Sequence, residues 1–74
     1  MSELEILKNL CECMQIQELN LDMELKSLDE WDSLAIISVV SFFSDLGISL
    51  KTSEINNCNL VSDLVVLIKN KNDF

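Results

Sequence analysis

Asp32-Ser33-Leu34-Ala35-Ile36-Ile37-Ser38-Val39-Val40-Ser41-Phe42-Phe43-Ser44-Asp45-Leu46-Gly47 is the stretch on which the fold turns. Isoleucine, valine and phenylalanine favour strands, so composition alone points to a strand. Serines at 38, 41 and 44 recur every third residue, however, and the run from Ser33 to Leu46 is too long for an ordinary strand. Length and period together predict a helix. Asp32 supplies an N-cap and Gly47 the left-handed stop. The expected core face is Ile36, Val39, Val40, Phe43 and Leu46. Ala35, Ser38, Phe42 and Asp45 are expected to face outward.

Upstream, Ser2 and Glu5 form an S-x-x-E helix start. Leu4, Leu7, Leu10, Cys11 and Met14 follow at spacings of three and four, predicting an amphipathic helix that ends near Ile16. Between the two helices, Leu19, Leu21, Met23 and Leu25 alternate with polar residues. A period of two suggests a strand, but a lone strand would leave its backbone donors and acceptors unpaired. Residues 17–32 are therefore read as a long ordered loop with alternate apolar side chains tucked under the helices, a length that often marks function. Downstream, Thr52 or Ser53 caps a short turn through Asn56. Asn59 caps a last helix whose apolar side is Leu60, Leu64, Val65, Leu67 and Ile68. Lys69 and Lys71 lie where the helix dipole favours cations, and Asn70–Phe74 is expected to fray. The expectation is an all-α bundle in one domain, residues 1–74: three main helices, a short third helix, and a long loop between helices one and two.

Composition narrows the function. The chain has 74 residues, 13 acidic and 5 basic, for a net charge of −8. A domain this size buries roughly 60% of its unfolded surface and is marginally stable. The acidic balance and lack of arginine argue against nucleic acid, whose phosphates need cations to displace counterions. Hydrophobic residues at 49% argue against disorder. No histidine is present, which removes the commonest general base and transition-metal ligand. The reading is therefore not an enzyme, with no catalytic residue and no resident metal. The longest apolar run, Leu34–Phe43, falls short of the ~20 residues of a membrane span. The start of the chain does not read as a signal peptide, and three cysteines do not make a paired framework. A cytoplasmic monomer with free thiols is expected. Cys11 is read as a small core residue and Cys13 as a partly exposed thiol. Cys58 falls in a turn, with no partner assigned.

Chemistry concentrates at Leu28-Asp29-Glu30-Trp31-Asp32-Ser33-Leu34. A hydroxyl at the first position of a helix is uncovered by any preceding turn. A phosphate ester on it would meet free backbone N–H groups and the positive dipole end. Leu34 and Ile37 offer apolar ground beside it. No base is placed to make Ser33 a nucleophile of the protein's own catalysis, and no G-x-S-x-G elbow surrounds it.

Asp32-Ser33-Leu34, opening an apolar helix after a long loop, resembles the acyl carrier proteins. The likeness extends through Gly47-Ile48-Ser49-Leu50 and Val61-Ser62-Asp63-Leu64, which fall in family order. It implies that Ser33 carries 4′-phosphopantetheine, transferred from coenzyme A by a phosphopantetheinyl transferase. Asp32 would support that modification by helping to hold Mg²⁺, since hard cations prefer carboxylate oxygens. The arm's thiol would hold acyl or aminoacyl groups as thioesters. An acyl-activating ligase would load it, and downstream acyl-processing enzymes would use it. Partner docking is expected on Asp29, Glu30, Leu34, Ile37, Ser38, Ser41, Phe42 and Asp45, with partners' basic patches steered by charge.

The chain departs from the fatty-acid-synthesis members, which carry several glutamates along the motif helix. Here that helix has only Asp45, and Leu60 stands where a threonine cap is common. A specialised pathway fits better than housekeeping fatty-acid synthesis. A peptidyl or D-alanyl-type carrier and an unmodified helical interaction module are the alternatives. Residues 1–32 hold nine acids and two lysines (−7), and residues 33–74 hold four acids and three lysines (−1). The acidity thus stops almost at Ser33.

Overall fold

A computed structural model describes residues 2–72, the side chain of Asn72 excepted. Four α-helices follow in order: α1 (Glu3–Met14), α2 (Ser33–Asp45), α3 (Thr52–Asn56) and α4 (Val61–Asn72). A 3₁₀ turn at Leu25–Ser27 interrupts the long α1–α2 loop. The all-α bundle with a short third helix is therefore what the chain forms, and no strand occurs among the described residues.

Each boundary has a local cause. The Ser2 Oγ accepts from Glu5 N–H (3.2 Å) and donates to Glu5 Oε1 (3.3 Å), which starts α1. The Asp32 Oδ1 accepts from Ala35 N–H (2.9 Å) and starts α2. At the end of α2, Gly47 has φ +86°. Its N–H reaches Ser44 C=O (2.9 Å), while Ile48 N–H reaches Phe43 C=O (2.8 Å). This crossed pair satisfies two end carbonyls, and Phe43 and Ile48 are both buried across it.

Two helix starts differ from expectation. Neither Thr52 nor Ser53 caps α3; Glu54 Oε1 accepts from Lys51 N–H (3.1 Å). Asn59 does not cap α4. Asp63 reaches back instead, and its Oδ2 accepts from Asn59 N–H (3.1 Å) and Leu60 N–H (3.0 Å). Leu60 at the cap position has no side-chain acceptor, so a first-turn carboxylate takes the role. Those two N–H groups, Leu60 first, hold the Asp63 carboxyl below its usual range. Glu54 is lowered as well, chiefly by Lys71, whose Nζ lies 2.9 Å from Glu54 Oε2 and ties α4 to α3. The helix continues through Asn70–Asn72, where fraying was expected; Asp73 and Phe74 lie outside the described residues.

The core draws on every helix and on the loop: Ile6, Leu10 and Met14; Leu19 and Leu25; Ala35, Val39 and Phe43; Ile48, Leu50, Ile55 and Cys58; Val61, Leu64, Val65 and Ile68. Two faces are rotated from their expected registers. In α1 the buried stripe is Ile6-Leu10-Met14, spaced i, i+4, i+8, while Leu4 is 63% exposed. In α2 it is Ala35-Val39-Phe43, turned about 40° from the expected face at 100° per residue. Ala35, expected outward, is buried, and Phe42, expected outward, is half-buried. Ile36 and Val40 are half-buried at the other margin. Leu46, expected in the core, is 51% exposed, because the Gly47 turn sends Ile48 inward in its place.

The loop is held by backbone bonds as well as by burial. Leu25 N–H donates to Asn59 C=O (2.9 Å), Val61 N–H to Met23 C=O (2.9 Å) and Ser62 N–H to Leu21 C=O (2.9 Å). Glu24 and Leu60 form an isolated antiparallel bridge. The alternating residues therefore find a partner in the turn before α4. Leu19 and Leu25 are buried and Met23 half-buried, as the tucked-loop reading requires; Leu21 is 38% exposed.

Candidate functional site

The long loop delivers the chain to α2 through Leu28 and Trp31, both half-buried against the core, with Trp31 N–H bonded to Leu28 C=O (3.0 Å). That anchoring fixes where α2 begins. Ser33 is its first residue and is exposed. Its hydroxyl makes no hydrogen bond among the described residues. Neither Ser33 N–H nor Leu34 N–H finds an acceptor among them, because Asp32 takes the Ala35 and Ile36 N–H groups with its Oδ1 and carbonyl oxygen. Two outward donors therefore stand beside a free hydroxyl at the positive end of a 13-residue helix. Asp32 uses one carboxylate oxygen in the cap, which leaves Oδ2 without a protein partner.

Around this point Leu34 is 73% and Ile37 59% exposed. Ser38, Ser41 and Asp45 are exposed too, and together they form one line along α2 with Leu34. Asp45 lies at the far end, about 18 Å along the axis from Ser33 at 1.5 Å per residue. Asp29 and Glu30 are exposed on the loop beside the start of the helix. Phe42 belongs to this line only in part. Its ring is half-buried and stands edge-on to Phe43, with centroids 5.2 Å apart and planes at 81°. The surface is thus an apolar strip with hydroxyls, bordered by acids on the loop side of Ser33.

A furrow runs beside the strip; Glu30, Asp32, Leu34, Ile37, Ser38, Ser41 and Phe42 along it were expected at the site from the sequence, whereas Glu12, Cys13, Met14, Gln15 and Ala35 were not. Its upper half, about 390 Å³, is lined by Cys13, Met14, Gln15, Glu30, Asp32, Leu34, Ala35 and Ser38. Its lower half, about 510 Å³, is lined by Glu12, Cys13, Gln15, Ile37, Ser38, Ser41 and Phe42. Gln15 ends α1 at φ +55°, a left-handed conformation that glycine ordinarily occupies. Nothing in its sequence neighbourhood announces that geometry.

The thiols read as quiet. Cys11 and Cys13 are both half-buried, so the expected contrast between them is not found. Cys58 is buried, with its Sγ 3.5 Å from Glu54 C=O. Burial is the leading cause pushing each thiol above its usual range, and acidic neighbours add to it: Glu18 at Cys11, Glu12 at Cys13, Asp63 and Glu54 at Cys58. None is an activated thiolate. Among the described residues no group of three or more His, Cys, Asp or Glu could hold a metal, and no helix is long and apolar enough to cross a membrane.

The donor set suits a phosphate ester on Ser33: the hydroxyl is unhindered, two N–H groups point outward, and apolar side chains flank it. The nearby carboxylates oppose a second anion, but all are exposed, and water and salt screen them. Compared with family models, curated proteins and solved structures, the chain matches none.

Proposed function

We propose that this protein is a carrier whose Ser33 accepts 4′-phosphopantetheine. The observation that carries the reading is the exposed, unbonded Ser33 hydroxyl at the start of α2, directly after the Asp32 cap. When bound, the group supplies a thiol that holds acyl or aminoacyl cargo as a thioester. The chain's own residues do the rest. Ser33 Oγ is open to attack the pantetheine-side phosphorus of coenzyme A in a transferase's active site, where the new O–P bond forms as the pyrophosphate bridge breaks, adenosine 3′,5′-bisphosphate leaves and the hydroxyl proton passes to a base of the transferase. Asp32 Oδ2 is free to help hold a divalent cation there while Oδ1 keeps the helix capped. Ser33 N–H and Leu34 N–H stabilise the phosphodiester once it is formed.

Leu34 and Ile37 form the apolar centre of the docking surface for the transferase, a ligase and acyl-processing enzymes. Asp29, Glu30 and Asp32 draw partners' basic surfaces to the loop side of the serine. With hydroxyls at 38, 41 and 44 in place of acids, this surface suits partners of a specialised biosynthetic pathway.

The test is intact mass after incubation with coenzyme A, Mg²⁺ and a promiscuous transferase. One phosphopantetheinyl group should be gained, and Ser33→Ala should abolish the gain. An unchanged mass with several transferases refutes the reading in favour of an unmodified interaction module.

A further inference from the structure

We infer that the furrow between the end of α1 and the outer side of α2 is the resting bed of the group attached at Ser33; the inference rests on the carrier reading above. Three features support it.

The first is continuity. Asp32 and Leu34, on either side of Ser33, line the upper half of the furrow. Cys13, Gln15 and Ser38 line both halves. The two cavities thus adjoin, and together they extend from beside Ser33 to Phe42, about 14 Å of helix axis at 1.5 Å per residue. A group tethered at one end of a groove meets it at a high effective concentration, so weak contacts suffice to seat it.

The second is chemistry. A pantetheine arm alternates amides and a hydroxyl with methyl and methylene groups. The furrow alternates likewise: Gln15, Ser38 and Glu30 offer donors and acceptors, and Met14, Leu34 and Ala35 offer apolar contact. By contrast, the space among the helices is filled, with Ile6, Leu10, Val39, Phe43, Leu64 and Ile68 fully buried. Entering it would require breaking close packing, whereas the furrow is already open.

The third is Gln15. It closes α1 in a left-handed conformation, with Gln15 N–H on Glu12 C=O (3.3 Å) and Ile16 N–H on Cys11 C=O (3.0 Å), a common helix end that fixes where the residue stands. There it lines both halves of the bed.

Cys13 makes the bed measurable. It lines both halves, while Cys11, two residues along the same helix, lines neither. N-ethylmaleimide labelling of the Cys13 and Cys11 peptides is followed by mass spectrometry, in protein with and without the arm. Alkaline pH is used because burial pushes both thiols up. A bed filled about four-fifths of the time slows Cys13 labelling about fivefold, in proportion to the fraction left open. Cys11 should be unaffected, and the backbone amide resonances of Gln15 and Ser38 should shift on modification.

If the arm is attached but Cys13 labels at its original rate, or both cysteines slow alike, the bed is refuted and the carrier reading stands. Amide shifts confined to residues 32–36 refute it likewise. Failure to attach the arm at all overturns the carrier reading and this inference together.

Discussion

Asp32 is given two roles that can be separated by one pair of substitutions. Its Oδ1 accepts from Ala35 N–H at 2.9 Å, a structural role. Its Oδ2 has no protein partner and is assigned to support modification of Ser33. Asp32→Ala removes both oxygens. Loss of an N-cap of this kind costs about 1 kcal/mol. In a domain of this length that lowers the melting temperature by roughly 4–8 °C. Asp32→Asn keeps a carbonyl oxygen able to accept from Ala35 N–H and loses only the charge at the helix N-terminus. At an exposed site that charge is worth about 0.3 kcal/mol, or roughly 1–2 °C.

Modification should divide the variants differently. A carboxylate oxygen serves a hard cation far better than an amide oxygen. At a temperature at which circular dichroism finds both variants folded, Asp32→Asn and Asp32→Ala should both slow phosphopantetheinyl transfer at least about tenfold, which is about 1.4 kcal/mol of barrier. Thermal unfolding by circular dichroism reads the first role and intact-mass time courses read the second. If Asp32→Asn melts as low as Asp32→Ala, the Ala35 bond is not what Asp32 contributes to the fold. If Asp32→Asn is modified at the native rate, the carboxylate has no part in the chemistry.

The register of α1 predicts that Ile6→Val, at a fully buried position, destabilises by about 1 kcal/mol, while Leu4→Ala stays within about 0.5 kcal/mol by urea unfolding. Gln15→Gly relieves a left-handed residue and should raise the melting temperature by a few degrees, a gain of about 0.5 kcal/mol net of the extra chain entropy glycine brings. Asp63 is more acidic in the fold than in the unfolded chain, so the stability it adds is complete above the usual aspartate pKa of about 3.9 and is lost as pH falls through its lowered folded value. The stability gap between the native protein and Asp63→Asn should therefore be constant from about pH 5 to 8 and close below about pH 4. Ser38→Lys with Ser41→Lys, on the exposed line of α2, should leave the helical circular dichroism intact and slow turnover with carrier-dependent enzymes; a collapsed spectrum would overturn the outward placement.

What the sequence made legible here is mostly local. The limits of α2 follow from Asp32 and Gly47, residues that act on the backbone within a few positions of themselves. The rotation of α2 was not legible. Apolar residues cover most of that helix, so hydropathy leaves the core direction loosely set, and closeness to α1 decides it. Ala35 is small enough to lie under the end of α1, and with Met14 it lines the upper furrow. In the same way Leu60 hid the true cap of α4. No short polar residue occupies the cap position, and the function passes to Asp63 in the first turn.

The candidate site divides along the same line. Ser33, Asp32, Leu34 and Ile37 are neighbours in the chain, and helix geometry alone brings them to one surface. The furrow joins residues 12–15 to residues 30–42, and no periodicity within either segment marks the meeting. The charge count behaves in both ways. The fall from −7 to −1 across Ser33 can be read directly from the sequence. Only the fold shows what the boundary separates: Glu12, Glu30 and Asp32 line the furrow, while Lys71 at the far end of the chain is engaged with Glu54. A cationic partner approaching the acidic side of Ser33 therefore meets the mouth of the furrow first. In the proposed arm the charge stays in the phosphodiester at the helix N-terminus, and the neutral, amide-rich pantetheine beyond it is the part that can lie along an acidic furrow without either attraction or repulsion.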